Sequence, residues 1–478
     1  MTARSKTLLT ILVFAVVVRV AILGAYPLHD TTEARYAEIA RLMITTGDWV
    51  TPHIAEGVPF WGKPPLSMWL TAASFEFLGQ HEFAARLPSF LLVVGTLFLV
   101  FRLGDRLYSR ETGIAAAAIM LSCAIAFIAA GAVMTDASLL FATTLALAGF
   151  LMTVEGFGPG WRYLVFVGLG IGLLAKGPVA VVLTGMPIAI WSLSERPGWL
   201  SLRRIPWLSG TLLSLVIAAP WYVLAELKTP GFLEYFLLGE HWLRFVQAGW
   251  EGDMYGSAHA RPRGTIWLFG FAALLPWSIV ALYALLAKLR TRTLLTATDA
   301  RSRFLLWWTL SPLLFFSFAG NILPAYVLPG VPAFALLLAV WIVRRRATIL
   351  HAGWVTPVLT LAVAILLSVG AIPGKTQKDL LRDFVDVAPG QTLFYFPRKP
   401  YSADFYSGGQ SRLLPTSKDL VTYLAEPGRG FVAIRRNSLE RLPAGVSACL
   451  AVNASYSSYI LFEKDPLGCP AKLEIARD

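Results

Sequence analysis

The sequence predicts a polytopic α-helical membrane protein that ends in a small α/β domain. Three observations carry this. Of 478 residues, 56% are hydrophobic and only 15% charged, whereas a soluble globular chain is about a quarter charged. The apolar residues gather into runs close to the ~20 residues with which an α-helix crosses a bilayer. After residue 371 the pattern changes to short alternating segments separated by Pro, Gly and Ser, as strands and turns require. The net charge of +12 does not point to nucleic acid, because Lys and Arg collect on the cytoplasmic loops of membrane proteins.

The first run, residues 8–25, follows Arg4 and Lys6. It is longer than the apolar region of a signal peptide and lacks a small-residue cleavage pattern, so a retained helix with its N-terminus inside is expected. Further runs at 84–103, 112–131, 136–154, 161–176, 178–194, 207–225, 264–288, 304–320, 324–343 and 350–370 bring the expected spans to about 11. Alternation then gives inner loops carrying Arg102, Arg106 and Arg110; Arg162; Arg196, Arg203 and Arg204; Lys288, Arg290, Arg292, Arg301 and Arg303; and Arg344, Arg345 and Arg346. Every inner loop is basic, which satisfies the positive-inside rule. The outer side receives residues 26–83, residues 226–263 and the tail. The expected division is a transmembrane domain over 1–371 and a soluble outer domain over 372–478.

In the tail, TLFYFP, GFVAIRR and YSSYILFEK read as strands, with a helix about residues 417–424. Cys123 lies within a span as a small apolar residue. Cys449 and Cys469 lie in the tail. An oxidising compartment permits a disulfide between them, and two free, buried thiols are the alternative.

The polar residues concentrate at the outer face. In HDTTEARYAEIARLM, residues 29–43, Asp30 suits an N-cap with Glu33 as its capping-box partner. Arg35, Glu38 and Arg41 suit the solvated face of an amphipathic helix on the bilayer. Lys63, ahead of two prolines in FWGKPPL, is either a snorkelling lysine or a point charge for a phosphate. Asp136 in MTDASLL is either a first-turn acid or a functional acid at the membrane boundary. Lys176 in LLAKGP separates two short apolar runs. The second outer loop offers Glu240, His241 and Arg244 in GEHWLRF, and then His259. Asn321 and Tyr326 lie in NILPAYVLPGVPA, where Pro324, Pro329 and Pro332 favour an irregular, cavity-lining backbone. Together these residues describe one outward-facing cavity. It has acids to activate a hydroxyl or orient a sugar, cations for a phosphate, and apolar walls for a lipid tail.

The ordered set TTEARYAEIARLM, FWGKPPL, EFAARLPS, MTDASLL, LLAKGP, EHWLRF and NILPAYVLPGVPA resembles one family. It is similar to the bacterial polyprenyl-phosphate-sugar-dependent glycosyltransferases of the GT-C superfamily, relatives of protein O-mannosyltransferases and of the lipid A aminoarabinose transferase. The resemblance runs from about residue 20 to about 340. It implies a GT-C membrane fold with a small periplasmic α/β domain, and an inverting transfer from a polyprenyl-phosphate sugar at the periplasmic face of the bacterial inner membrane. The acceptor is lipid A or another envelope glycolipid, and the chain works as a monomer. No resident cofactor is implied; the lipid-linked sugar is a substrate, and a divalent metal is possible but not indicated. On this resemblance Asp30, Glu33 and Asp136 are the catalytic acids, and Lys63 faces the donor phosphate. Arg35, Tyr36 and Tyr326 match polar positions of the family, and with the cavity candidates Lys176, His241, Arg244, His259 and Asn321 they are the expected substrate-binding residues.

The chain departs from the family pattern in three places. Thr32-Glu33 stands where an Asp-Glu pair is usual, Gly62 replaces an acid before the loop lysine, and Ile322 replaces a lysine before LPxYxLP. Two other functions fit the same topology: a protein O-glycosyltransferase, and a lipid or solute transporter. Transporters often carry internal repeats with broken helices at the midplane. This sequence has no evident duplication, and its polar motifs collect at one face.

Overall fold

Residues 2–256, 259–290, 299–345, 349–443 and 445–469 are described by a computed structural model. Arg292, Arg346 and residues 470–478 lie outside them. The chain divides into two units, one of residues 1–25 and 42–364, the other of residues 26–41 and 365–478. The boundary falls inside the helix Thr32–Thr46.

The first unit is helical. Among the described residues, six helices are long and apolar enough to cross a membrane: Ala3–Ile22, Glu82–Leu107, Asp136–Val154, Trp207–Lys228, Pro324–Arg345 and Ile349–Ser368. A bent pair, Thr265–Ala273 and Trp277–Ala287, turns through 107° and makes a seventh candidate. Helix Asp136–Val154 is almost wholly enclosed by its neighbours, whereas Trp207–Lys228 turns Leu208, Leu212, Val216, Val223 and Leu227 outward. Such an apolar exterior is an aggregation liability in water and is solvated by lipid. The chain is a polytopic helical membrane protein. The remaining apolar runs fold into helices shorter than ~20 residues, among them Gly160–Lys176, Val179–Ser194 and Ala300–Phe316. The 112–131 run is interrupted at Cys123, whose extended backbone separates helices Arg110–Ser122 and Ala124–Ala129; its thiol is free and buried.

Small residues set the closest packing. Helices Asp136–Val154 and Gly160–Lys176 form an antiparallel hairpin in which glycines meet backbone. A Cβ on Gly168 would stand 2.6 Å from the Ala142 carbonyl oxygen, and one on Gly149 would stand 2.7 Å from that of Trp161. Small residues at such contacts let membrane helices approach closely. The hairpin therefore brings its first residue, Asp136, beside its last, Lys176. Its opposite end is held by different charges. Glu155, just after the first of these helices, pairs with Arg301 at 2.5 Å, and Glu195 pairs with Arg303.

The second unit is built on a five-stranded mixed sheet in the order β4-β3-β5-β7-β6. The strands are β3 (Leu393–Phe396), β4 (Arg412–Leu413), β5 (Phe431–Arg435), β6 (Leu450–Ser455) and β7 (Tyr459–Lys464); β1 (His53–Ala55) and β2 (Val58–Pro59) form a separate hairpin in the first unit. β3 runs parallel to β4 and β5, and β7 runs antiparallel to β5 and β6. Side chains alternate between faces with period two. Leu393, Tyr395, Phe431, Ala433, Tyr459 and Leu461 pack with Leu380, Leu381 and Phe384 of helix Lys378–Val387. Phe396, Val432, Ile434 and Phe462 pack on the other face with Leu420, Tyr423 and Leu424 of helix Ser417–Ala425. Thr416 and Asp419 close a capping box on that helix. Cys449 and Cys469 also lie on this face, with Cα atoms 5.6 Å apart, the usual separation in a disulfide.

Two outcomes test this packing. Gly168→Val should lower the thermal stability of the detergent-solubilised protein by about 1–3 kcal/mol, the usual cost of overpacking, measured by tryptophan fluorescence. Thiol labelling of denatured, unreduced protein should modify Cys123 alone and reach Cys449 and Cys469 only after reduction.

Candidate active site

The cavity lies in the first unit, at the end of the hairpin that carries Asp136 and Lys176. It has a volume of about 350 Å³. Lys63 reaches it from the turn before helix Leu66–Leu78, fixed by Pro64 and Pro65. Its ammonium donates to the Gly62 carbonyl at 2.5 Å and to the Glu240 carboxylate. Glu240 and His241 belong to a wide π-helical stretch, Tyr235–Leu243. One Arg244 nitrogen donates to both Glu240 oxygens, at 2.8 and 2.7 Å, and lies 3.3 Å from Asp253. Burial alone pushes the Glu240 carboxyl up, but the charges of Lys63 and Arg244 outweigh it and hold its pKa below the usual value. Glu240 is therefore a buried carboxylate shared by two cations.

A second ion pair stands beside this one. Lys176 donates to Asp136 at 2.5 Å, and its ammonium sits 4.7 Å from the centre of the Tyr326 ring, a cation–π distance. Tyr326 stacks on Phe316, with ring centres 4.5 Å apart. His241 is partly buried and lies between two carbonyl oxygens, with Nδ1 2.8 Å from that of Phe236 and Nε2 3.0 Å from that of Lys176. Burial, with Lys63 nearby, lowers its pKa, so the ring is neutral at pH 7. Asn321 acts on the backbone. Its amide nitrogen donates to the carbonyls of Arg244 and Gln247, and its oxygen accepts from Gly249 N–H. Leu139, Val179, Val182, Leu183, Leu237 and Phe315 supply apolar lining to the same cavity.

The structure thus brings Lys63, Lys176, His241, Arg244, Asn321 and Tyr326 to one cavity, with Asp136 paired at its edge. His259 has an exposed side chain, and its carbonyl accepts from Ile322 N–H. Asp30, Glu33, Arg35 and Tyr36 fold with the second unit. Asp30 does not cap its own helix as the sequence suggests. Its carboxylate accepts from Ser402 N–H at 3.0 Å and from the Ser402 hydroxyl, because Ser402 presents two donors at the start of helix Tyr401–Tyr406. Burial raises the Asp30 pKa, and the bonds from Ser402 offset part of the rise. Glu33 accepts from His29 N–H at 3.3 Å, and the Arg35 guanidinium lies 5.2 Å from the centre of the Tyr36 ring. Glu38 and Arg41, expected in solvent, are buried and joined by two 2.7 Å bonds.

Sequence reasoning missed Glu240 as the shared partner of Lys63 and Arg244. The available signal was its spacing of four from Arg244, at which opposite charges meet on a helix. Among the described residues, no three His, Cys, Asp or Glu side chains group as metal ligands.

Residues 6–236 match the family model of dolichyl-phosphate-mannose-protein mannosyltransferases. The undecaprenyl phosphate-alpha-4-amino-4-deoxy-L-arabinose arabinosyl transferase of Erwinia tasmaniensis is 29% identical over 318 residues, 65% of this chain and 55% of that protein. The same-named protein of Aeromonas hydrophila is 30% identical over 321 residues, 66% of this chain and 56% of its own length. The chain thus aligns with little more than half of these curated relatives. A crystal structure of ArnT from Cupriavidus metallidurans bound to undecaprenyl phosphate superposes with a TM-score of 0.81. It covers 96% of this chain and 98% of that one at 19% identity.

This chain is similar to aminoarabinose transferases. The likeness in sequence covers about two thirds of the chain; the likeness in fold covers nearly all of it. The Archaeoglobus fulgidus oligosaccharyltransferase is more distant, with a TM-score of 0.51 and 13% identity. Within an aminoarabinose transferase-like frame, the Asp30–Ser402 contact offers a direct test. Ser402→Ala removes a hydrogen bond that lowers the Asp30 pKa, so that pKa should rise. Any activity that needs ionised Asp30 should then be lost at a higher pH than in the parent, measured as the acid limb of the pH–rate profile.

Proposed function

We propose that this protein is an inverting glycosyltransferase of the GT-C type. In this reading it moves a sugar from a polyprenyl phosphate to lipid A or another envelope glycolipid at the periplasmic face of the bacterial inner membrane. The observation that carries the reading is the cavity's division of labour. Lys63, Lys176 and Arg244 line the same cavity as Leu139, Val179, Val182, Leu183, Leu237 and Phe315, the mixture of cations and apolar side chains that a phosphate joined to a polyprenyl chain requires.

In the proposed reaction, the acceptor hydroxyl attacks the anomeric carbon from the face opposite the phosphate. The new C–O bond forms as the bond to the phosphate oxygen breaks, and configuration inverts. An acid of the first outer loop, Asp30 or Glu33, takes the hydroxyl proton. The raised pKa of Asp30 suits this work, since a carboxylate that holds its proton more tightly is the stronger base. Asp136 orients the sugar and holds Lys176. Lys63 and Arg244 meet the charge that develops on the leaving phosphate. Arg35, Tyr36, His241, His259 and Tyr326 bind substrate, and Asn321 shapes the loop behind Arg244. The reading needs no resident metal or cofactor, so activity should survive EDTA.

We propose about 11 spans over residues 1–371, with the N-terminus cytoplasmic, and a periplasmic α/β domain over 372–478 of a monomeric chain. The separation of Arg301 and Arg303 from the Asp136–Lys176 end of the hairpin supports this orientation. A second reading, transfer to a protein hydroxyl, is favoured by the match to a protein mannosyltransferase model. Mass spectrometry of envelope lipids and proteins, from cells with and without the gene, separates the two. A sugar increment lost from a lipid supports the first reading, one lost from a protein the second, and no missing increment counts against both. For the acids, Asp30→Asn and Glu33→Gln should retain folded protein, and at least one should lose transfer by 100-fold or more, ~10²–10⁴ being typical for acid–base groups. Full activity in both sinks the assignment.

A further inference from the structure

Every cation that lines the cavity already has an acid. Lys63 is bonded to Glu240, Arg244 to Glu240 and Asp253, and Lys176 to Asp136. Glu240 is the most committed of these acids, with its side chain 2% exposed and both oxygens engaged. A site that only holds phosphate gains from leaving its cations uncompensated, because each buried pair weakens the field available to a ligand.

The charge change of the reaction explains the arrangement. A sugar joined to a polyprenyl phosphate is a phosphodiester with one negative charge. Transfer leaves a phosphomonoester, which carries about −1.5 to −2 at pH 7. The product is thus the stronger ligand for Lys63 and Arg244, and bare cations would retain it.

We propose that the Glu240 carboxylate occupies the phosphate seat between Lys63 and Arg244 when the cavity is empty, and competes with the polyprenyl phosphate product for those cations, speeding its release. This rests on the phosphate reading above. Lys63 and Arg244 turn from Glu240 to the phosphate as the leaving oxygen gains charge, and return to Glu240 as the product departs. Glu240 is then a residue that tunes product affinity without touching the reacting carbon.

The test uses the full chain in lipid nanodiscs, with undecaprenyl phosphate and undecaprenol as probes. The parent should bind the phosphate more tightly than the alcohol; equal binding overturns the phosphate reading and the inference with it. Glu240→Gln removes the competing charge and keeps the shape. It should bind undecaprenyl phosphate roughly 10-fold more tightly, leave undecaprenol unchanged, and raise product inhibition in steady-state turnover. Unchanged or weaker phosphate binding, with the parent's preference over the alcohol intact, overturns the inference alone by making Glu240 a fixed support. Losing a buried partner can unfold a protein, so Asp253→Asn supplies a second measurement. It removes the charge of the more distant acid on Arg244 and should shift phosphate affinity in the same direction by a smaller factor; no shift or a shift the other way counts against the competition.

Discussion

The backbone contact between helices Asp136–Val154 and Gly160–Lys176 is the constraint on which the cavity depends. Gly149 and Gly168 leave no room for a Cβ, so the two axes approach closely and their paired ends come into register. An aspartate and a lysine then face each other across a 2.5 Å bond. The Lys176 carbonyl at the same helix end meets His241, which ties the stretch Tyr235–Leu243 to the hairpin. Glu240, the residue before His241, accepts from both Lys63 and Arg244. A chain of short contacts therefore runs from two glycines inside the bundle to the charges that line the cavity.

Much of this was legible in the sequence. The long apolar helices follow from the solvent preferences of side chains. The strands β3, β5 and β7 lie in the three segments read as strands, whose near-continuous apolar residues suit a sheet covered on both faces. The cavity was legible as a set of residue types. Its wiring was not, since pairs such as Lys63 with Glu240, 177 positions apart, leave no local trace. Helices Lys378–Val387 and Tyr401–Tyr406 were also missed. The first buries Leu380, Leu381 and Phe384 at helical spacing, but its exposed Val385 and Val387 blur the pattern, whereas the second is only six residues long.

The segment 26–41 differs most from what the sequence suggested. Local rules made Asp30 and Glu33 a capping pair and put Glu38 and Arg41 in water. Contacts distant in sequence won. Asp30 N–H donates to the Lys375 carbonyl, Leu28 N–H donates to the Tyr406 hydroxyl, and Asp30 receives both donors of Ser402. Arg41 lies so close to Gly409 that a Cβ there would stand 2.7 Å from its guanidinium. A side chain that finds two donors elsewhere has little to gain from capping its own helix.

That clasp also fixes an order of events during synthesis. Asp30 and Ser402 are 372 residues apart, so at 5–20 residues per second the ribosome needs roughly 20–75 s to make the second after the first. Throughout that interval the stretch around Asp30 has been made, while the residues that bury it do not yet exist. The segment around Asp30 is therefore made well before it can reach its final shape, which waits on residues of 365–478.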